Sequence, residues 1–312
     1  MRAATIRDGE IFVEQHPDPV PVGEEVLVRV RAAGLNGADM MQRRGLYPAP
    51  PGSPQDIPGM ELAGEVAGLG GQARRFELGE KVMAIVGGGG QAELAVVHER
   101  QLMPVPSVLD WSAAGGLPET FTTAHDAVFT QARLRPGEHL LVHGGAGGVG
   151  TAAVQLARAS GARVTATVRR EESRAAVAEL GAEAVAPEGF AEYGPFDVIL
   201  ELVGAPNLGE NLGALAMGGR ICAIGVSAGA KAELNLLALM GKRASIHGST
   251  LRARPLEEKA LVARRLEREV LPLFESGALK VPVAETFPLE DALAAYDLFA
   301  TGGKLGKIVL TV

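Results

Sequence analysis

The sequence has 312 residues, of which 47% are hydrophobic and 21% are charged, a composition typical of packed globular proteins and not of disordered ones. The formal net charge of −7 argues against a nucleic-acid-binding surface, and the single cysteine excludes disulfides within the chain and any multi-cysteine zinc site. The apolar stretches are too short to span a bilayer, and the N-terminus carries charge where a signal peptide needs an apolar run, so we expect a cytoplasmic protein.

The first third of the chain is predicted to be rich in β-strands. Residues 25–31 and 65–67 alternate polar and apolar side chains with a period of two, and 93–97 forms another strand-like run. A loop rich in Pro and Gly, 46–58, and a run of four glycines, 87–90, lie between these segments. The glycine run is either a flexible turn or a segment that lines a cleft, and the sequence leaves both open.

From about residue 112, strand-like apolar runs alternate with Ala-rich helical segments. Strands are predicted at 140–142, 164–168, 196–204, 220–225 and 244–250, and helices at 151–159, 171–180, 207–216, 234–241 and 256–275. This βαβ order predicts a parallel sheet with helices on both faces. Cys222 is predicted to be a small core residue of its strand. A helix opened by Pro288 is predicted at 287–299, and the last segment, 306–312, is predicted to be a strand that returns to the first domain.

Residues 139–150, HLLVHGGAGGVG, place a glycine-rich turn between a strand and a helix. Gly145, Gly147 and Gly150 fit G-x-G-x-x-G in the setting that this motif requires. Small residues let the backbone approach a pyrophosphate, and the helix N-terminus favours phosphate; the alternative is a plain tight turn. The predicted dinucleotide site consists of Gly145, Ala146, Gly147, Gly148, Val149 and Gly150.

The end of the second strand indicates which dinucleotide binds. Sites for NAD usually carry an Asp or Glu about 20 residues past the glycines, whereas this chain has Val168 followed by Arg169 and Arg170. One guanidinium contact to a 2′-phosphate is worth about 1.5–3 kcal/mol, which favours NADPH over NADH by about tenfold to a hundredfold. The alternative is that both arginines are solvated and pair with Glu171 and Glu172.

Seven segments, taken in chain order, carry a family resemblance. They are 34–52, 58–66, 87–93, 117–128, 143–150, 248–254 and 306–312. Together they resemble the medium-chain dehydrogenase/reductase superfamily, and within it the zinc-free quinone oxidoreductases of the zeta-crystallin group, especially the tumour-suppressor-inducible type. The resemblance implies an α/β fold with a Rossmann doubly wound parallel sheet at 118–255 and a GroES-like β domain from 1–117 and 256–312. It also implies hydride transfer from NADPH to a quinone in the interdomain cleft, and a homodimer formed through an edge of the Rossmann sheet.

Departures from the zinc-dependent members predict an enzyme without zinc. Those members carry a Cys where this chain has Asn36, a His-Glu pair where it has Met60-Glu61, and a four-cysteine lobe that is missing here. A catalytic zinc needs three protein ligands, so the pattern argues against a simple alcohol dehydrogenase. Many relatives also have an Asn-Tyr pair where this chain has Pro187-Glu188, which predicts a modest preference for NADPH.

The resemblance further implies which side chains surround the reacting groups. It places Asn36 and Tyr47 beside the acceptor, where both can hydrogen-bond a carbonyl oxygen and Tyr47 can stack on a flat ring. The alternatives are that Asn36 belongs to a turn and Tyr47 anchors a loop. His125 is predicted to be a core or surface residue. The segments implied near the nicotinamide contain Thr123, Gly225, Val226, Ser249, Thr250 and Leu251.

Two rival functions stay open. An enal, enone or enoyl-thioester reductase uses the same fold and cofactor within this superfamily, and no residue decides between it and a quinone reductase. A structural or RNA-binding protein regulated by NADPH is the rival of another class, and the acidic balance weighs against it.

Overall fold

The computed structural model describes all 312 residues, and they divide into two compact units. Unit 1 consists of Met1–Thr122 and Leu251–Val312, and unit 2 of Thr123–Thr250. The chain thus passes between units at 122/123 and 250/251, whereas the predicted domains exchange it at 117/118 and 255/256. No helix of the chain combines the length and the apolar character needed to cross a bilayer.

The N-terminal part of unit 1 is built mainly from antiparallel strands. They are β1 (Arg2–Arg7), β2 (Glu10–Gln15), β3 (Glu25–Gly34), β4 (Glu61–Leu69), β5 (Lys81–Ile85), β6 (Leu94–His98) and β7 (Met103–Pro104). Two helices accompany them, α1 (Gly37–Arg43) and α2 (Trp111–Gly116), and a third, α3 (Pro118–His125), begins in unit 1 and ends in unit 2. The period-two pattern of β3 is confirmed, because Val26, Val28 and Val30 are all buried in one apolar core.

Unit 2 contains a six-stranded parallel sheet. Its strands are β8 (His139–Val142), β9 (Arg163–Thr167), β10 (Glu183–Val185), β11 (Phe196–Glu201), β12 (Leu215–Ala223) and β13 (Ser245–Gly248), in the order β10-β9-β8-β11-β12-β13. The α-helices are α4 (Gly148–Ala159), α5 (Arg174–Glu179), α6 (Leu208–Ala214) and α7 (Leu236–Lys242). All the strand pairs are parallel, and the order reverses direction after β8, as in a Rossmann sheet. The predicted fold class is confirmed, and Cys222 is a buried residue of β12.

The last part of the chain returns to unit 1. Its elements are α8 (Leu256–Glu269), α9 (Leu271–Glu275), β14 (Val283–Pro288), α10 (Ala292–Thr301) and β15 (Lys307–Thr311). β15 pairs antiparallel with β3 and parallel with β14, which confirms the predicted return of the final strand. The unit 1 sheet then runs β14-β15-β3-β4-β5-β7, with β6 also paired to β3.

Two predicted helices near the C-terminus differ from the structure in their extent. The segment 256–275 is not the last helix of the βα series, because it belongs to unit 1, and it is divided into two helices by Val270 and by Pro272, whose ring removes a backbone donor. Pro288 ends strand β14 and also caps a short 3-10 helix, Leu289–Asp291, which leads directly into α10 at Ala292, so the helix predicted at 287–299 is present with a later start.

Candidate active site

The glycine-rich turn of unit 2 connects β8 to α4. Gly144 has φ +70°, a left-handed conformation that turns the chain out of the strand. A Cβ on Gly145 would lie 2.7 Å from the Cβ of Ala166 in β9, and a Cβ on Gly150 would overlap the carbonyl oxygen of Gly144. Gly147 is different, because its Cβ would meet only one atom, at 3.5 Å. Packing therefore explains two of the three motif glycines, and the third leaves open space for a ligand.

The backbone around Gly147 is suited to an anion. Gly147 is the N-cap of α4 and is exposed, so the first N–H groups of this helix have no partner within it. Unpaired N–H groups at the positive end of a helix dipole attract phosphate. Ala146, Gly148 and Val149 of the predicted site lie in the same turn and are partly exposed.

A buried polar network holds the turn against the neighbouring strands. His143 bonds Thr167 Oγ1 at 3.1 Å and Asn211 Oδ1 at 2.7 Å, and Asn211 donates to the Glu201 carboxylate at 2.7 Å. The same carboxylate accepts from the backbone N–H of Val203 and of Gly204, so it also fixes the loop after β11. Burial lowers the pKa of His143, and a neutral imidazole fits these partners. His143 stands within the glycine motif, but periodicity gave no sign of this network.

Arginines surround the end of β9, and no carboxylate occupies the position that binds a ribose in NAD sites. Val168 is buried, and Arg169 and Arg170 are both exposed. Arg170 lies 3.8 Å from Glu172, so the alternative pairing is partly realised. Arg174, which sequence reasoning missed, begins α5 and donates to the carbonyl oxygen of Val168 at 3.3 Å. Its position becomes visible only when α5 folds back on the strand.

The remaining predicted cofactor residues of unit 2 follow strand ends. Gly225 and Val226 follow β12, and Ser249 and Thr250 follow β13. The carboxyl ends of parallel strands share one edge of the sheet, and the turn after β8 lies at that same edge. Thr123 lies in α3 at the start of unit 2. Leu251 is the first residue of the second part of unit 1, so it belongs to a different unit from the other predicted cofactor residues.

In unit 1, Asn36 is held by a buried ion pair. Lys307 Nζ lies 2.5 Å from Glu61 Oε1 and 2.8 Å from Asn36 Oδ1, and the Asn36 amide donates to Glu61 Oε1 at 2.9 Å and to Gly34 O at 3.4 Å. Glu61 is fully buried and Lys307 is 3% exposed. These two contacts fix the orientation of the Asn36 amide, because its oxygen must face the ammonium of Lys307 and its NH₂ group must face the carboxylate of Glu61. Asn36 also caps α1, so the structure gives this residue a place in the fold.

The same cluster does not fit a zinc ion. Asn36, Met60 and Glu61 stand where zinc-dependent members have ligands, and here the ammonium of Lys307 contacts two of the three. A fixed positive charge at that point repels a divalent cation. Across the chain, no group of three or more His, Cys, Asp or Glu side chains is arranged to hold a metal ion.

Tyr47 is partly buried and lies against an arginine that the sequence did not single out. The guanidinium carbon of Arg252 is 5.2 Å from the centre of the Tyr47 ring, and Arg252 Nη1 donates to the Tyr47 carbonyl oxygen at 3.0 Å. Burial raises the pKa of the Tyr47 phenol, so this group keeps its proton at neutral pH. Arg252 lies in the segment 248–254, which carries the family resemblance, but its contact with Tyr47 spans 205 residues of chain.

Comparison with known proteins assigns the family. The family model for the alcohol dehydrogenase GroES-like domain matches residues 23–107, and that for zinc-binding dehydrogenases matches 148–268. A quinone oxidoreductase from Rattus norvegicus is 34% identical, covering 94% of this chain and 90% of its own. The quinone oxidoreductase from Thermus thermophilus, solved alone and with NADPH, is 35% identical with a TM-score of 0.87 over 100% of both chains.

A further relative is much longer. A phenolphthiocerol/phthiocerol polyketide synthase from Mycobacterium tuberculosis is 33% identical over 94% of this chain, and the match covers 14% of that protein. Full-length relatives named quinone oxidoreductase and the two matched domains together make this chain an oxidoreductase of the medium-chain dehydrogenase/reductase superfamily.

Proposed function

We propose that this oxidoreductase uses NADPH to reduce a quinone, and that it does so without zinc. The proposal of a dinucleotide cofactor rests on the start of α4, where Gly147 leaves room for a phosphate beside unpaired N–H groups. The acceptor rests on the relatives that are named quinone oxidoreductase. When bound, the reduced nicotinamide would supply a hydride, that is, one proton with two electrons, and the acceptor oxygen would gain negative charge.

Each predicted residue has a proposed role in binding. The turn from Gly145 to Gly150 holds the pyrophosphate, and Arg169, Arg170 and Arg174 surround the 2′-phosphate. An acidic side chain there would repel that phosphate, and β9 ends without one. The residues proposed to flank the nicotinamide are Thr123, Gly225, Val226, Ser249, Thr250 and Leu251.

Tyr47 is the proposed hydrogen-bond donor to the acceptor. Its phenol stays protonated because burial raises its pKa, and its ring gives a flat surface for a quinone. Asn36 keeps its predicted place beside the acceptor, but its amide N–H groups are directed at Glu61 and Gly34. Tyr47 is therefore the stronger candidate of the two for donating to a carbonyl oxygen. The Lys307 ammonium beside Asn36 and Glu61 supports a reaction without zinc.

Reduction of an activated alkene is the second candidate. The identity to a segment of a polyketide synthase favours it, and an enal, an enone or an enoyl thioester also gains negative charge on oxygen when it accepts a hydride. Both candidates use the same cofactor residues and the same donor. They differ in the acceptor, because an activated alkene takes the hydride at the carbon β to its carbonyl group whereas a quinone is reduced to a hydroquinone.

We further propose that the chain forms a homodimer through the β13 edge of the unit 2 sheet. β13 is an edge strand, and α7, which precedes it in the chain and packs on β12, exposes Leu236, Leu237 and Met240 at 62%, 78% and 70%. An open strand edge next to clustered apolar side chains is a typical association surface.

The test is a set of initial rates with four combinations, NADPH or NADH with a 1,4-quinone or a 2-alkenal. We expect NADPH to be oxidised fastest with the quinone. Turnover of the alkenal alone would replace the acceptor by the second candidate. If neither acceptor is reduced while NADPH binds tightly, the proposed reaction is wrong and a binding role gains support.

A further inference from the structure

Arg252 is a buried cation whose hydrogen-bond partners are all neutral. The side chain is 1% exposed, and it donates through Nε to Gly87 O at 2.8 Å, through Nη1 to Tyr47 O at 3.0 Å and through Nη2 to Gln42 Oε1 at 2.5 Å. Asp39 and Glu119 attract it as charges over a longer distance and not as hydrogen-bond partners. A buried guanidinium usually has a carboxylate in direct contact, because burying an unpaired charge is costly.

The three partners lie on three separate segments of unit 1. Gln42 is in α1, Tyr47 is in the loop 46–58 and Gly87 starts the glycine run 87–90. Gln42 in turn donates to the carbonyl oxygen of Gln55, at the far side of the loop, at 3.0 Å. Arg252 therefore ties α1, the loop and the glycine run together from inside the unit.

The glycine run itself is packed tightly against the loop. A Cβ on Gly87 would overlap Ser53 Oγ and would lie 2.9 Å from Pro50 Cγ. The run is thus part of a fixed arrangement and not a flexible turn. Its first carbonyl group is aligned to accept from Arg252.

Arg252 contacts both the ring and the backbone of Tyr47. The positive charge lies 5.2 Å from the ring centre, within the range of a cation–π interaction, while the same group holds the backbone of Tyr47. Both the place of the ring and the potential around it depend on one side chain.

We propose that Arg252 is a positioning residue of the acceptor site, which clamps the Tyr47 loop and places a positive charge, with no carboxylate hydrogen-bonded to it, beside the ring of Tyr47. This rests on the proposed function of Tyr47 as the hydrogen-bond donor. The acceptor class that such a site favours is a carbonyl compound whose oxygen becomes negative during reduction, since a preorganised charge stabilises that state without reorganising. Neutral acceptors that gain no oxygen charge would benefit little.

The charge also opposes the effect of burial on the phenol. Burial raises the pKa of Tyr47 and the guanidinium of Arg252 lowers it, so the donor is more acidic than burial alone would make it. Removal of the charge should raise the pKa of Tyr47 and weaken its hydrogen bond to a negative oxygen.

The test compares Arg252→Gln and Arg252→Lys with wild type, and uses Arg100→Gln as the matched control. Arg100 is an arginine of the same unit that pairs with Glu257 at the surface. The protein is labelled with 3-fluorotyrosine, whose phenol titrates at lower pH, and Tyr47→Phe assigns the Tyr47 signal among the three tyrosines in fluorine NMR. Rates are measured with NADPH and a quinone on the unlabelled variants.

We expect Arg252→Gln to raise the pKa of the Tyr47 phenol and to lower kcat by about 10- to 100-fold, with the KM for NADPH unchanged. Arg252→Lys keeps the charge but not the forked geometry, so it should hold the phenol pKa near wild type while kcat still falls. Arg100→Gln should change neither quantity.

A Tyr47 pKa that is the same in folded Arg252→Gln and in wild type overturns the proposal. If Arg252→Gln does not fold, Arg252→Lys decides, because wild-type kcat in that variant contradicts a clamp. A wild type that reduces neither a quinone nor an alkenal removes the proposed function, while the fluorine titration still decides the link between Arg252 and Tyr47.

Discussion

At the residue scale, Lys307 and Glu61 form an ion pair sealed from solvent. Replacement of Lys307 by Met leaves a buried carboxylate with no cation, which typically costs about 3–5 kcal/mol of unfolding free energy. The double variant Lys307→Met/Glu61→Met removes both charges and should recover much of this loss. Urea unfolding followed by the fluorescence of Trp111, the only tryptophan and a residue of unit 1, measures both. A loss under about 1 kcal/mol in the single variant would show that the pair is not buried in solution.

Arg174 is the second residue with a specific prediction. If its guanidinium contacts a 2′-phosphate, Arg174→Gln should lower kcat/KM for NADPH by about 10- to 100-fold and leave the value for NADH unchanged. Arg163→Gln is the matched control, because Arg163 is an exposed arginine at the opposite end of the same strand, β9. Equal losses with both cofactors would place Arg174 in the support of the loop and not in phosphate recognition.

At the element scale, the sequence was sufficient wherever a pattern is local. An apolar run and three glycines were enough to predict the strand β8, the turn after it and the helix α4. A short, mostly apolar run at the end of the chain was enough to predict the strand β15. The helix pattern of α8 was also visible, but the pattern listed it with the βα series, and only the family resemblance placed 256–312 with the first domain. Ala260, Ala263 and Leu266 bury one face in unit 1, and nothing in a helical period says which domain a helix packs against.

Long-range contacts explain what the sequence could not predict in the candidate site. Arg252 reaches Gly87 across 165 residues and Lys307 reaches Glu61 across 246 residues. Each residue alone looks like an ordinary charged position in a mixed segment. The charges gain a role only when the sheet of unit 1 closes over them, which no local rule anticipates.

The proposed homodimer interface, formed by α7 and β13, can be tested by substitution. Leu237→Asp/Met240→Asp places two charges on the exposed apolar face of α7 and should convert a dimer to a monomer, as measured by light scattering after gel filtration. Leu261→Asp is the control, because Leu261 is 52% exposed on α8, in unit 1. A wild type that is monomeric at all concentrations, or a double variant that remains dimeric, would contradict the proposed interface.

At the scale of the whole molecule, stability should depend on one buried acid. Asp39 is fully buried, and burial raises its pKa from 3.8 to about 6, although N–H bonds from Asn36 and Gly59 and the charges of Lys307 and Arg252 oppose the rise. Between about pH 4 and pH 6 the folded chain keeps this proton and the unfolded chain has lost it. Stability contributed by Asp39 therefore falls as pH rises through that window, the opposite of a salt-bridged carboxylate.

The expected size follows from the shift. A difference of about two pH units corresponds to about 3 kcal/mol of unfolding free energy, lost between about pH 4 and pH 6 and then constant at higher pH. Asp39→Asn does not titrate, so the difference between wild type and this variant isolates the effect from every other acid in a chain of net charge −7. Urea unfolding by Trp111 fluorescence at several pH values gives that difference. Parallel curves for the two proteins would mean that the pKa of Asp39 is the same in the folded and the unfolded chain, and hence that its hydrogen bonds and the Lys307 and Arg252 charges offset its burial.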